Sequence, residues 1–262
     1  MKISDIHLVY FSATYTTRKV VREMARIIGG NVVEHDVTCG LPDSEVSLCG
    51  DGDLLIAGAP VYAGRVPARV VDALNMFSGS GTPAVVVCVY GNRDYDDALV
   101  ELQDTVESRG FKTVAAAAFI GRHCIFPQVA AGRPDAGDMR KVGDFADKCV
   151  RLLAGTADVA ALPALSVKGN RPYKQGGASV FSPAGDAAKC VGCNTCVRLC
   201  PVGAIPADSP CTTDGDRCIA CGRCVVVCPH GARAFGGDMY AGFAAKFVPA
   251  FSARREPETF FP

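Results

Sequence analysis

Two cysteine runs decide what the C-terminal third of this chain can fold around. They are Cys190-x2-Cys193-x2-Cys196-x3-Cys200-Pro201 and Cys218-x2-Cys221-x2-Cys224-x3-Cys228-Pro229. Thiols so close in sequence do not pair easily into disulfides, but they converge well on a metal cluster. A C-x2-C-x2-C loop wraps three corners of a four-iron cubane. The fourth thiolate comes from elsewhere, and in two-cluster arrangements the cysteine before proline serves the other cluster. The spacing therefore predicts one [4Fe-4S] cluster on Cys190, Cys193, Cys196 and Cys228, and a second on Cys218, Cys221, Cys224 and Cys200. Zinc also uses C-x2-C pairs, but two complete runs that each end in Cys-Pro fit the iron–sulfur pattern better. The runs are internal repeats: CVGCNTCVRLCPVGAI is echoed by CIACGRCVVVCPHGAR, at an offset of 28 residues from Cys190 to Cys218.

Of the 14 cysteines, nine fall between residues 190 and 228. Cys39, Cys49, Cys88, Cys124 and Cys149 are scattered and read as small, mostly buried hydrophobes. Cys211 reads as a free or buried thiol rather than a spare ligand, and His230 as a local hydrogen-bonding group beside a cluster. Many free thiols point to a reducing, cytoplasmic setting. Lys plus Arg and Asp plus Glu are both 27, which supports neither a nucleic-acid footprint nor a polybasic membrane patch. No apolar run approaches the roughly 18–20 residues of a membrane span, and MKISDIHLVYF lacks the long apolar stretch of a secretory leader.

Residues 1–153 alternate between strand and helix patterns. Apolar runs at 6–11, 31–37, 53–62, 84–90 and 113–120 read as buried strands, with a helical pattern through Val20, Val21, Met24, Ile27 and Ile28 that Gly29-Gly30 stops, and helical stretches around 66–77, 94–109 and 138–153. This rhythm predicts an α/β fold with a five-stranded parallel sheet covered on both faces. Ligands on such sheets bind at the carboxyl ends of the strands. The first such end is Ser12-Ala13-Thr14-Tyr15-Thr16-Thr17, where hydroxyls and N–H groups lead into a helix, as an anion site requires. Taken alone, this stretch reads equally as an ordinary helix cap. The third and fourth ends carry Pro60-Val61-Tyr62-Ala63-Gly64 and Tyr90-Gly91-Asn92-Arg93-Asp94-Tyr95, two aromatic loops suited to a flat ring. Residues 154–185 read as an ordered linker, 186–236 as the cysteine module, and 237–262 as an aromatic tail that packs back on the body.

With these motifs together, the chain resembles the flavodoxin–ferredoxin fusion proteins of anaerobic bacteria. The resemblance runs through FSAT, APVYAGRVP, YGNRDYDDAL, GNRPYK, both cysteine runs and REPETFF. It implies a flavodoxin-like FMN domain joined to a small α+β domain of the two-[4Fe-4S] ferredoxin type. Residues 12–17 would hold the FMN phosphate, and residues 60–64 and 90–95 would flank the ring, with Tyr62 and Tyr95 stacking on it. The loop departs from the T-x-T-G-x-T pattern of flavodoxins, with Tyr15 in the glycine place. The implied function is electron transfer between the two clusters and FMN, serving ferredoxin-like donors or acceptors. Arg65 and Arg93 would either tune the flavin or pair with Asp94, Asp96 or Asp97. Two other readings stay open: an FMN-dependent reductase of a small organic molecule, with His123 and Cys124 lining its pocket, and a redox sensor whose flavodoxin-like domain binds no FMN.

Overall fold

The computed structural model describes residues 1–177 and 179–262. Its larger sheet is built from strands that the apolar runs dictate. These are β1 (Asp5–Tyr10), β2 (Asn31–Asp36), β4 (Asp53–Pro60), β6 (Thr82–Tyr90) and β7 (Phe111–Ile120). Two short strands, β3 (Val46–Leu48) and β5 (Phe77–Gly79), form a separate parallel pair. The five long strands are mutually parallel and lie in the order β7-β6-β4-β1-β2. Counted along the chain that order is 2-1-3-4-5, the flavodoxin-like doubly wound arrangement, with its switch point between β1 and β4. Every residue of the central β6 is buried, as a strand covered on both faces requires. The edge strand β2 is exposed over most of its length.

Four helices cover the two faces: α1 (Thr16–Ile28), α2 (Ala68–Leu74), α3 (Ala98–Ser108) and α4 (Ala136–Gly155). Val20, Val21 and Met24 of α1 are fully buried against Ile6, Leu8, Leu54 and Ile56. Opposite them, Leu99, Leu102 and Val106 of α3 pack in a second core with Val86, Cys88 and Tyr95. The expected helices overrun α2 at both ends and α3 at its start: Val66-Pro67 and residues 94–97 are loops, and Phe77 already begins β5. Cys88 and Cys149 are buried, whereas Cys39 and Cys49 are exposed, contrary to the reading of such isolated cysteines as core.

The linker is held by two carboxylates of α3, Asp97 at its N-cap and Asp104 within it. Asp97 accepts hydrogen bonds from Asn170 N and Lys174 N at 2.8 and 2.7 Å. Asp104 takes Arg171 and the Tyr173 hydroxyl. The cysteine module contains α5 (Thr195–Arg198), α6 (Arg223–Val226) and β9 (Arg233–Ala234), and β8 (Ala184–Gly185), the last two residues of the linker, pairs antiparallel with β9. The tail forms α7 (Asp238–Ala250) and then β10 (Glu258–Phe260), which adds to the edge of β7 as a sixth, antiparallel strand. No described helix is long and apolar enough to cross a membrane.

Candidate redox site

The carboxyl ends of β1, β4, β6 and β7 open onto one cavity of about 560 Å³, within the roughly 300–1,000 Å³ of small-molecule sites. Ala13, Thr14, Thr16 and Thr17 form one end of it, and Pro60, Val61, Tyr62 and Ala63 line another wall. Tyr90, Gly91 and Arg93 come from the β6 loop, and residues 121–126 from the β7 loop. Gly91 has to be glycine, since a Cβ there would stand 2.6 Å from the His123 ring. The predicted loops therefore meet at one place.

Not every predicted residue faces it. Ser12 is buried, and its Oγ accepts a hydrogen bond from Arg18 N, so it fastens the loop rather than lining the cavity. Tyr15 takes the left-handed conformation at φ 63°, where glycine is favoured, and caps α1 from outside the cavity. Gly64 makes the turn beside Asp96, which leaves no room for a Cβ. Asn92 is buried, and its Nδ2 donates to the carbonyls of Phe251 and Ala253, which anchors the tail. Tyr95 corrects the sequence reading most clearly. It is fully buried, its hydroxyl donates to Glu258 at 2.7 Å, and Lys168 covers its ring, so no face is free to stack on a ligand. Tyr62 does line the cavity, edge-on to Phe11.

Of the two arginines, Arg65 forks onto Glu101 and donates to Lys174 O, away from the cavity. Arg93 pairs with Asp96 and still lines the cavity. His123 also lines it, with Nδ1 accepting from Ile125 N and Phe126 N at 3.2 and 3.1 Å. Burial, with Arg93 nearby, pulls the His123 imidazole down to about 4, so the ring is neutral at physiological pH. Burial pushes the Cys124 thiol up to about 11.

Sequence reasoning missed the aromatic wall. Phe181 from the linker and Phe243 and Phe247 from α7 close the cavity over Phe126. The i, i+3, i+7 spacing of Tyr240, Phe243 and Phe247 is the signal that marks such a helix face. The cysteine module supplies the last wall, from Asp216 to Ala220.

In that module, Cys190, Cys193, Cys196 and Cys228 line one small cavity, and Cys200, Cys218, Cys221 and Cys224 line a second. This is the crossed grouping that the spacing predicts. Among the described residues no three His, Cys, Asp or Glu side chains close on a single ion. Each set instead stands around a void, and an all-thiol donor set around a void suits a polynuclear cluster. Cys211 lies beside Cys190, whose side chain raises its pKa. Burial pushes the thiols of Cys196, Cys218 and Cys224 up, and the Arg233 charge opposes this in all three.

Residues 189–232 match the family model described as the 4Fe-4S dicluster domain. The C-terminal module is an iron–sulfur domain. No curated protein matches the chain by sequence. Among solved structures, the oxidised flavodoxin 1 of Bacillus cereus is 17% identical with a TM-score of 0.43, covering 59% of this chain and 100% of its own. A flavodoxin from the domain Archaea is 10% identical with a TM-score of 0.40, covering 57% of this chain and 99% of its own. The rubredoxin oxygen:oxidoreductase of Desulfovibrio gigas is 16% identical with a TM-score of 0.41. It covers 58% of this chain, which spans 37% of that one. The flavodoxin-like fold itself rests on the strand order described above.

Proposed function

We propose that the protein is an electron-transfer oxidoreductase that holds FMN in the large cavity and a [4Fe-4S] cluster in each cysteine cage. One observation carries this reading: Cys218 and Ile219 line both the large cavity and the second cage. A ligand in the cavity and a cluster in that cage would share a wall one residue thick. When bound, the clusters supply single-electron exchange and the flavin exchange of one or two electrons. The residues of the chain do the rest. Thr14, Thr16 and the start of α1 present hydroxyls and N–H groups to a phosphate. Tyr62 offers a ring to the isoalloxazine, and the aromatic wall of Phe126, Phe181, Phe243 and Phe247 keeps water away from it.

The two halves are fastened at several points, as a fixed transfer distance requires. Arg69 Nη2 donates to Pro201 O at 2.7 Å, and Cys124 Sγ to Ala220 O at 3.5 Å. Arg223 donates to Ala13 O at 3.2 Å. The first cage sits at the surface, with Cys193 exposed, so an external ferredoxin-like protein would exchange electrons there. Anaerobic purification followed by iron, sulfide and flavin assay tests the reading. It predicts about eight iron and eight sulfide, the content of two four-iron clusters, with one FMN per chain. Clusters without flavin after incubation with FMN would overturn it and leave an iron–sulfur protein with a flavodoxin-shaped docking domain.

A further inference from the structure

Two arginines in the cysteine module carry buried charge that no carboxylate answers. Arg233 is 3% exposed and Arg223 is 8% exposed. Arg233 donates from Nη1 to Pro210 O and Thr212 O, and from Nη2 to Pro183 O and the Thr213 hydroxyl. Arg223 donates to Ala13 O and lies 4.7 Å over the Tyr15 ring. All of these partners are neutral. Among the described residues neither arginine forms a salt bridge, and the Nε of each is buried without a hydrogen-bond partner. A guanidinium removed from water costs several kcal/mol unless an anion offsets it.

The internal repeat sharpens the point. At the 28-residue offset, Arg233 corresponds to Ile205 and Arg223 to Thr195. Ile205 is a buried apolar residue of the second cage, and Thr195 lines the first. Neither arginine is therefore demanded by the repeated loop itself. Their places differ: Arg233 lines the cavity of Cys190, Cys193, Cys196 and Cys228 and its charge also reaches Cys218 and Cys224 of the other set, whereas Arg223 lines the cavity of Cys200, Cys218, Cys221 and Cys224. Among the described residues each cage is lined by one of these two arginines, from a different position of the repeat, and Arg233 acts on the second cage as well.

We infer that Arg233 and Arg223 are the counter-cations of the two clusters, Arg233 chiefly of the first cage and Arg223 of the second, and that they set the reduction potentials. This inference rests on the reading that each cage holds a [4Fe-4S] cluster. Four thiolates around such a cluster leave it with net negative charge, and an added electron makes it more negative. A fixed cation at the wall favours that state and raises the potential, as does an N–H donor aimed at sulfur. Structural cross-linking accounts for the Nη hydrogen bonds of Arg233. It accounts for neither the unanswered charge nor the orphaned Nε that the two arginines share.

The test is an anaerobic potentiometric titration of the full-length protein, followed by low-temperature EPR, on wild type, Arg233→Gln, Arg223→Gln and Arg233→Lys. Arg233→Gln is expected to lower one cluster midpoint by tenfold or more in the one-electron equilibrium, about 59 mV, and the other by less. Arg223→Gln is expected to have its largest effect on the other, and Arg233→Lys, which keeps the charge, to stay near wild type. Glutamine variants with full iron content and unmoved midpoints would overturn the inference. Both variants having their largest effect on the same midpoint would also overturn it. If Arg233→Gln sheds a cluster, Arg233→Lys decides. A loaded lysine protein with wild-type potentials supports the charge role, and one that also sheds the cluster makes the arginine a cross-link. The iron count of the wild type separates this from the reading beneath it: about four iron per chain would remove the second cluster, whereas unmoved potentials at about eight remove only the role of the arginines.

Discussion

His123 shows how one side chain is fixed by the loop that carries it. Two backbone N–H groups point at Nδ1, and Phe126 and Phe247 enclose the ring at centroid distances of 5.4 and 5.1 Å. The proton therefore belongs on Nε2, the atom left to donate into the cavity. The unfolded imidazole takes a proton below about 6.5, and the folded one only near 4. Between those values the unfolded state binds more protons, so stability falls as pH drops through that window and levels off below it. A His123→Gln variant removes this dependence. Its deficit in unfolding free energy relative to wild type is expected to shrink from pH 7 to pH 4, measured by urea titration. A deficit that stayed constant would mean that the folded imidazole is protonated like a free one. Sequence alone showed that His123 followed a strand, but only the packed tail explains why it is neutral.

At the level of elements, the linker and tail determine how the cavity is closed. Burial by itself would raise the Asp97 carboxyl, but N–H donors from Lys174 and Asn170 outweigh it and hold the group below the usual carboxylate range. The contribution of this clasp is present above the unfolded carboxylate pKa and is lost as pH falls through the folded one. Asp97→Ala leaves Asn170 N and Lys174 N unpaired. The expected cost is about 1–3 kcal/mol, together with faster proteolytic nicking between residues 165 and 177; an unchanged nicking rate would show that the clasp holds nothing. On α7, Phe247 packs on Phe126 at 4.8 Å. Phe247→Ala is expected to destabilise the protein by about 1–3 kcal/mol and to speed FMN loss in dialysis, and FMN retention equal to wild type would contradict the role of the wall. Strands β1, β4, β6 and β7 and their end loops were legible because a parallel sheet buried on both faces needs continuous apolar runs. Strand β10 was not legible, since three residues on a sheet edge show no period of their own. Tyr95 misled for a related reason: an aromatic in a loop looks like a ring for a ligand until a distant carboxylate, Glu258, claims its hydroxyl.

For the whole molecule, the decisive feature is the wall shared by the large cavity and the second cage. The cysteine spacing was enough to group the thiols, because each C-x2-C-x2-C loop is local and the repeated run supplies the fourth thiol. No local pattern could show that Cys218 and Ile219 also face the cavity at the sheet edge, because that depends on how the two halves dock through Arg69, Cys124 and Arg223. On the proposed function, this docking makes the cavity and the cages one conduit, in which transfer does not wait for diffusional encounter. The most direct measurement follows the flavin absorbance after a light pulse has reduced the clusters of the FMN-loaded protein, over a tenfold range of protein concentration. A first-order rate independent of concentration is the predicted result. A rate that rises in proportion to concentration would mean that electrons pass between molecules, and that the shared wall carries none.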